Sequence, residues 1–80
     1  MTIAQKIKIL REVNSWTQED LAEKLHISPN GYGRIERGEV KLDLPRLELL
    51  AKIFHLKASE LIDLEVHEII QRQGLAKGMS

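Results

Sequence analysis

Asn30 and Arg34 are the polar pair whose spacing most clearly favours a chemical role. They are four residues apart, so they lie on one face if this segment is a helix. The amide of asparagine matches the hydrogen-bonding edge of adenine, and the guanidinium of arginine matches that of guanine. An exposed arginine is also commonly just solvated. The pair therefore indicates base recognition only if its helix is presented to nucleic acid.

Residues suited to other chemistry are scarce. The chain has no cysteine, which excludes disulfides, thiolate nucleophiles and zinc–thiolate sites. His26, His55 and His67 lie in separate predicted elements without paired spacing, so we expect no metal site. No nucleophile is paired with a base, and no glycine loop suits a phosphate. We therefore expect neither an enzyme nor a bound cofactor.

The composition is that of one small folded domain. Of the 80 residues, 42% are hydrophobic and 30% are charged, which is ordinary for a globular protein. Twelve Lys and Arg balance twelve Asp and Glu, so the net charge does not by itself indicate DNA. Binding would need cations clustered on one face. No apolar run is long enough for a membrane span, and we expect a cytoplasmic protein.

A capping pattern precedes each of the first two predicted helices. Thr2 and Gln5 have the spacing of a capping box, and helical periodicity follows over about residues 3–13. Thr17 is a candidate N-cap with acidic residues after it, which favours the start of a helix. The second helix is therefore predicted to begin at Gln18.

The third predicted helix follows closely. Ser28 before Pro29 is an N-cap with proline at the first helical position, and Gly38 suits a C-terminal stop, so the helix is predicted from Pro29 to about Arg37. Two short helices that cross at a steep angle need a small residue at the contact, and Ala22 stands in the middle of the second helix. The pattern predicts a helix-turn-helix, with an unrelated small helical bundle as the alternative.

The C-terminal third is predicted to be helical as well. Asp43 is a candidate cap for a fourth helix, and Ser59 for a fifth. Either the fifth element or a new one that starts near Asp63 continues the helical pattern to about residue 72. Residues 74–80 have two glycines and no pattern, so fraying is expected there.

Three segments resemble the Cro/C1-type helix-turn-helix family: Leu10–Arg11, Thr17–Ala22 and Ile35–Gly38. Gly31 and Gly33 are similar to the glycines in the lambda-repressor branch of that family. The resemblance covers about residues 6–61, with the helix-turn-helix at 17–37, and leaves residues 62–80 as a C-terminal extension. It implies an all-α, five-helix lambda-repressor-like DNA-binding domain with a short helical extension, whose third helix enters the major groove of double-stranded DNA.

The resemblance also implies roles for individual residues. Arg11 and Glu36 are similar to the family's internal ion pair between the first and third helices, which orients the third helix. Gln18 stands where the family holds a phosphate at the start of the second helix. The full set of expected DNA-binding residues is Gln18, Ser28, Pro29, Asn30, Gly33, Arg34, Arg37 and Lys41.

The tail has more apolar residues than a five-helix domain needs, so part of it is expected to line a homodimer interface. The expected interface residues are Leu64, Val66, Ile69 and Ile70. The function expected is that of a transcriptional regulator, in particular a repressor. The alternative is an antitoxin that binds a toxin protein and regulates its own operon. A helical adaptor that does not bind DNA is a third possibility, which the zero net charge favours.

Overall fold

The computed structural model describes residues 1–78 of the chain, with side chains to residue 72. This part of the chain folds into six α-helices and contains no β-strand, as the all-α prediction required. The helices are α1 (Ile3–Val13), α2 (Gln18–Leu25), α3 (Pro29–Glu36), α4 (Leu44–Ile53), α5 (Ala58–Asp63) and α6 (Val66–Gly78). α1, α2 and α3 begin at the residues that their capping patterns predicted, and α3 ends with Arg37 as its C-cap.

The helix starts are stabilised by side chains that accept otherwise unpaired backbone N–H groups. Thr2 accepts from the N–H of Gln5 at 3.1 Å, and Thr17 accepts from that of Asp20 at 3.0 Å. Gln5 and Asp20 each accept the N–H of their cap residue in return, which completes two capping boxes. The Asp43 carboxylate caps α4 in the same way.

Left-handed backbone conformations make the turns between helices short. Gly38 follows α3 with a φ of 73°, where glycine has no steric cost. Ser15, His26 and His55 have φ values of 59°, 59° and 61°, which are unfavourable for residues with a Cβ atom. His26 ends α2 in this conformation, and its turn leads directly into Ser28, the N-cap of α3.

One hydrophobic core joins the helices. α2 packs on α3, α1 packs on α3 and α6, and α4 packs on α5. Trp16 stacks on Phe54 with 5.7 Å between ring centroids, and the Lys24 ammonium lies 4.6 Å from the centre of the indole. The buried side chains of the core are Ile7, Leu10, Leu21, Ala22, Leu25, Tyr32, Ile35, Leu50, Ala51, Phe54, Leu61 and Ile69.

The fifth helix begins earlier than its capping pattern predicted. Lys57 occupies the N-cap position and Ser59 lies inside α5, so the prediction that Ser59 caps this helix is wrong. The Glu60 carboxylate accepts the backbone N–H of Lys57 at 2.9 Å, which stabilises the helix start without a capping side chain at residue 57. The predicted domain boundary after residue 61 falls inside α5.

The C-terminal helix is longer than the sequence indicated. α6 begins at Val66 and continues to Gly78, beyond the predicted end at residue 72. A glycine inside a helix costs about 1 kcal/mol relative to alanine. The cost at Gly74 alone is too small to end the helix. The helix thus extends past residue 72, while fraying of residues 74–78 stays a prediction, and residues 79 and 80 lie outside the described part of the chain.

The expected interface residues divide into two groups. Ile69 is 0% exposed and Val66 is 9% exposed, because α6 packs on α1 and turns both side chains into the protein. Their assignment to a dimer interface is wrong, since neither offers a surface to a second chain. Leu64 and Ile70 are partly exposed and pack at the edge of the core.

Candidate nucleic-acid interface

The exposed face of α3 is built from four positions. Asn30, Gly33, Arg34 and Arg37 are spaced as i, i+3, i+4 and i+7, so they form one stripe along the helix and its C-cap. Asn30, Arg34 and Arg37 are exposed, whereas Gly33 lies beneath the Arg37 side chain. The opposite side of α3 presents Tyr32 and Ile35 to the core. The third helix therefore offers polar and cationic groups outward from a well-packed base.

A single carboxylate contacts both arginines of this face. Glu39 accepts from Nε of Arg37 at 2.5 Å, and its other oxygen lies 3.8 Å from Nε of Arg34. The hydrogen bond and charge of Glu39 raise the pKa of Arg37, and the hydrogen bond from Arg37 lowers the pKa of Glu39. All three side chains are about half exposed, so water screens these ion pairs and phosphate can replace Glu39.

The glycines of α3 differ in what surrounds them. A Cβ atom at Gly33 would lie 3.0 Å from Nη1 of Arg37, which is the far end of a flexible side chain, and 3.9 Å from Oε1 of Gln18. A Cβ atom at Gly31 would lie 3.2 Å from Oγ of Ser28, the group that caps the helix. The folded protein thus has little structural need for glycine at position 33.

Below this face, the Glu36 carboxylate joins three helices. Nε of Arg11, from α1, donates to Oε2 at 2.6 Å, and the Tyr32 hydroxyl, from α3, donates to the same oxygen at 2.5 Å. The amide of Gln18, from α2, donates to Oε1 at 3.0 Å. Arg11 also donates to the carbonyl of Trp16 at 2.7 Å. The expected partners Arg11 and Glu36 therefore meet, within a larger network that fixes how α3 is oriented.

The network shifts the pKa values of its members. Burial opposes ionisation of Glu36, but the hydrogen bonds from Arg11, Tyr32 and Gln18 outweigh it, and the pKa of Glu36 is lowered. Burial, together with the bond to Glu36, raises the pKa of Tyr32 far above its usual range. The carboxylate is thus ionised and the phenol is neutral at neutral pH, so the phenol donates its hydrogen bond.

A groove of about 250 Å³ runs along one side of α3. Three cations, Arg34, Lys41 and Arg46, and one carboxylate, Asp43, line it. The rest of the lining is Gly31 and apolar side chains from α3, the turn before it and the loop after it. Arg46 is a cation that the sequence did not single out. It lies in the first turn of α4, directly after the loop that leaves α3, and this position is the signal that identifies it.

The remaining expected contact residues lie beside α3. Ser28 and Pro29 are exposed at its N-terminus, where Oγ of Ser28 accepts the N–H of Gly31 at 3.0 Å. Gln18 is exposed at the start of α2 while its amide is bonded to Glu36. Lys41 is exposed in the loop after α3. Seven of the eight expected residues are thus exposed, with Gly33 as the buried exception, and the structure brings Gln18 close to Gly33 and Lys41 close to Arg34.

The described residues include neither a metal-binding cluster nor a membrane-spanning helix. No group of three His, Cys, Asp or Glu side chains is close enough there to hold a metal ion. Within the same residues, the helices are too short or too polar to cross a bilayer.

Comparison with known proteins agrees with the geometry of α2 and α3. The chain matches the model of a helix-turn-helix family over residues 7–61, more than half of its length. The chain belongs to the Cro/C1-type helix-turn-helix family. In its terms α1 to α5 form a lambda-repressor-like domain, with α2 and α3 as the helix-turn-helix, and α6 lies beyond the matched residues.

Two curated relatives are similar over the same domain. One is the competence pilus inhibition repressor of Acinetobacter baylyi, 33% identical over 61 residues that cover 76% of this chain and 56% of the relative. The other is the uncharacterised HTH-type transcriptional regulator YobD of Bacillus subtilis, 32% identical over 60 residues that cover 75% of this chain and 54% of the relative. The chain thus spans about half the length of these relatives. No solved structure matches it significantly.

Proposed function

We propose that this helix-turn-helix protein is a sequence-specific DNA-binding regulator that inserts α3 into the major groove. The observation that carries the proposal is the stripe of Asn30, Gly33, Arg34 and Arg37 on a helix whose opposite side is anchored by the Glu36 network. An α-helix with its side chains is about 10–12 Å across, which fits a major groove about 12 Å wide. The cations needed locally are present although the net charge is zero.

The proposed contacts divide by what each residue can bind. Asn30 and Arg34 are the base-reading pair, since both are exposed and lie one turn apart. Arg37 and Lys41 contact phosphates beyond the C-terminal end of α3. Gln18 contacts a phosphate at the other end of the site, where its second amide proton and the first N–H groups of α2 are available. Gly33 lets the DNA approach the backbone of α3.

We further propose that regulation takes the form of repression in the cytoplasm. One relative is named a repressor, which supports this sign of regulation. A reporter gene placed behind the preferred site tests the sign of regulation. Lower expression with wild-type protein than with Arg34→Ala supports repression, and higher expression with wild-type protein contradicts it.

Selection from random duplex DNA tests the binding proposal directly. Recovered duplexes should share a motif, and the protein should bind that motif more tightly than a scrambled duplex of the same composition. The difference should be at least about a thousandfold, the lower end for specific binding. Absence of an enriched motif, or equal affinity for motif and scrambled duplexes, would refute sequence-specific binding.

We also propose that the protein binds DNA as a homodimer through the surface around the α5–α6 turn. Ile62 is 45% exposed there, and Leu64 in the turn and Ile70 on α6 are partly exposed. Ile62→Glu leaves the core intact and should yield a folded monomer in sedimentation equilibrium. Val13→Glu is the matched control, because Val13 is 39% exposed on α1. A wild-type monomer at the concentrations that saturate DNA would refute the dimer.

A further inference from the structure

Lys6 is a buried cation that neither the hydrophobic core nor the proposed DNA contacts account for. It lies on α1 and is 6% exposed. Its ammonium group reaches the end of α5 and donates to the carbonyl oxygens of Leu61 at 3.2 Å, Ile62 at 2.8 Å and Leu64 at 2.8 Å. Among the described residues no carboxylate forms an ion pair with it, so the carbonyl groups are its stabilising partners.

These contacts satisfy the hydrogen-bonding groups of both Lys6 and the end of α5. An ammonium group has three N–H donors, and Lys6 directs its donors to three acceptors. Carbonyl groups in the last turn of a helix lack partners within the helix and carry partial negative charge. α5 has only six residues, and the side chain of its N-cap residue, Lys57, accepts no N–H group of the helix. Lys6 therefore supplies directional contacts at the end of a helix that is too short to be stable alone.

The same three contacts immobilise the backbone beneath the proposed dimer surface. Two of the carbonyl groups belong to Ile62, which is 45% exposed on that surface, and Leu64, which is partly exposed there. Apolar packing is not directional, so it would leave the exact tilt of this turn less well defined. Hydrogen bonds to the backbone of residues 61, 62 and 64 define both its position and its tilt.

α1 connects this turn to the DNA-facing side of the protein. Lys6 and Arg11 are five residues apart on one rigid helix, a rise of about 7.5 Å. Arg11 binds Glu36 at the end of α3, and Lys6 binds the end of α5. The same short stretch of α1 therefore contacts both α3 and the α5–α6 turn, and it fixes the position of one relative to the other.

We propose that Lys6 is a positioning residue, which holds the α5–α6 turn at a set distance and angle from α3 and thereby sets the spacing of the two half-sites that a dimer reads. The inference rests on the proposed function, because it requires a dimer that places two α3 helices on one duplex. Half-sites of helix-turn-helix dimers lie about one helical turn apart, so a shift of the turn changes which spacing both helices can reach.

The experiment compares single half-site duplexes with a series of two-half-site duplexes whose spacing differs by one base pair at a time. The half-site is the motif recovered by selection. Lys6→Met keeps the length of the side chain and removes its donors and charge. Wild-type protein should prefer one spacing by at least about tenfold, and Lys6→Met should reduce that preference by about tenfold, the equivalent of one hydrogen bond from a charged group. The affinity of Lys6→Met for the single half-site should stay within about twofold of the wild-type affinity, which is a small difference in binding free energy.

Two further variants complete the design. Lys8→Met removes an exposed lysine from the same helix and should keep the wild-type spacing preference. Lys6→Arg keeps the charge but replaces a compact ammonium by a planar guanidinium, so it should fold and weaken or move the preference. If Lys6→Met does not fold, the spacing preference of Lys6→Arg tests the positioning role instead.

The outcomes separate this inference from the function on which it rests. Loss of spacing preference with intact half-site binding in a Lys6 variant supports the positioning role. An unchanged preference in both Lys6 variants overturns it, as does an equal loss of half-site binding and preference. Wild-type protein that binds half-sites without preferring a spacing overturns the dimer and the Lys6 role together. Wild-type protein that binds no half-site overturns the proposed function itself.

Discussion

Replacing Glu36 by alanine should destabilise the protein strongly even in the absence of DNA. The carboxylate is 4% exposed, and Arg11, its ionic partner, is 12% exposed. Removing one member of a buried ion pair leaves the other charge without compensation, which costs about 3–5 kcal/mol. Arg11 keeps its hydrogen bond to the Trp16 carbonyl in the variant, which favours the lower end of that range.

The Tyr32 hydroxyl adds to this cost. Tyr32 is 0% exposed, and removing Glu36 takes away the acceptor of its buried hydroxyl. A buried polar group without a partner costs about 1–3 kcal/mol, although this overlaps with the cost at Arg11 and does not simply add. We expect a total loss of about 3–4 kcal/mol for Glu36→Ala. A domain of this length has only about 4–12 kcal/mol of stability, so a large part of it would be lost.

The pH dependence of unfolding tests the electrostatic part of this reasoning. Since the pKa of Glu36 is lower in the folded protein than in the unfolded chain, protons bind more readily to the unfolded chain. The resulting stability is complete above the usual pKa of glutamate and is lost as the pH falls through the lower folded value. Glu36→Gln should be less stable than wild type at neutral pH, and the difference should shrink as the solution is acidified.

Urea unfolding of wild type, Glu36→Ala, Tyr32→Phe and the double variant provides the measurement. The double-mutant cycle isolates the interaction between Glu36 and Tyr32, and repeating it with Arg11→Met isolates the ion pair. A midpoint for Glu36→Ala equal to that of wild type would refute the view that this carboxylate stabilises α3. A constant difference between wild type and Glu36→Gln from neutral to acidic pH would refute the ionised state of Glu36.

Four other substitutions have distinct expected results. Gly33→Ala should raise stability by about 0.5–1 kcal/mol, because alanine favours helix, and should weaken DNA binding. A thermal melt and a binding assay measure the two effects, and stability and affinity that change in the same direction would contradict the prediction. His26→Gly should raise the melting temperature by about 4–8 °C by relieving about 1 kcal/mol of left-handed strain, and an unchanged scanning calorimetry trace would contradict it. Arg34→Ala should lose about 1–3 kcal/mol of binding free energy on the preferred duplex alone. Lys41→Ala should bind the preferred and scrambled duplexes more weakly by the same factor, and its salt dependence should fall by about one phosphate contact. A salt series in which the two variants behave alike would argue against base reading.

Much of the fold was predictable because helix starts depend on neighbouring residues. Thr2, Thr17, Ser28 and Asp43 have side chains that cap a helix within three residues, and the starts of α1 to α4 follow from them. The start of α5 was not predictable in this way, because the Lys57 side chain has no oxygen that could cap the helix. The Glu60 side chain, inside the helix, accepts the backbone N–H of Lys57 instead.

The candidate site was predictable only in part. Helical spacing placed Asn30 and Arg34 on one face, and the structure agrees with that spacing, while their contact with DNA stays a prediction. The bond between Gln18 and Glu36 joins residues far apart in sequence and depends on how α2 crosses α3, so no local pattern indicates it. Ile69 was misassigned for a related reason, since a count of apolar residues does not say which of them face α1.

The burial of Ile69 has a consequence for how the protein reaches its native state during synthesis. The ribosome releases α1 to α5 before Ile69, yet this side chain is fully buried in the core that those helices share. Until α6 docks on α1, the emerging chain holds apolar surface that has no cover, and such surface promotes aggregation. The core that α1 to α5 share is therefore complete only once α6 has emerged from the ribosome and docked on α1.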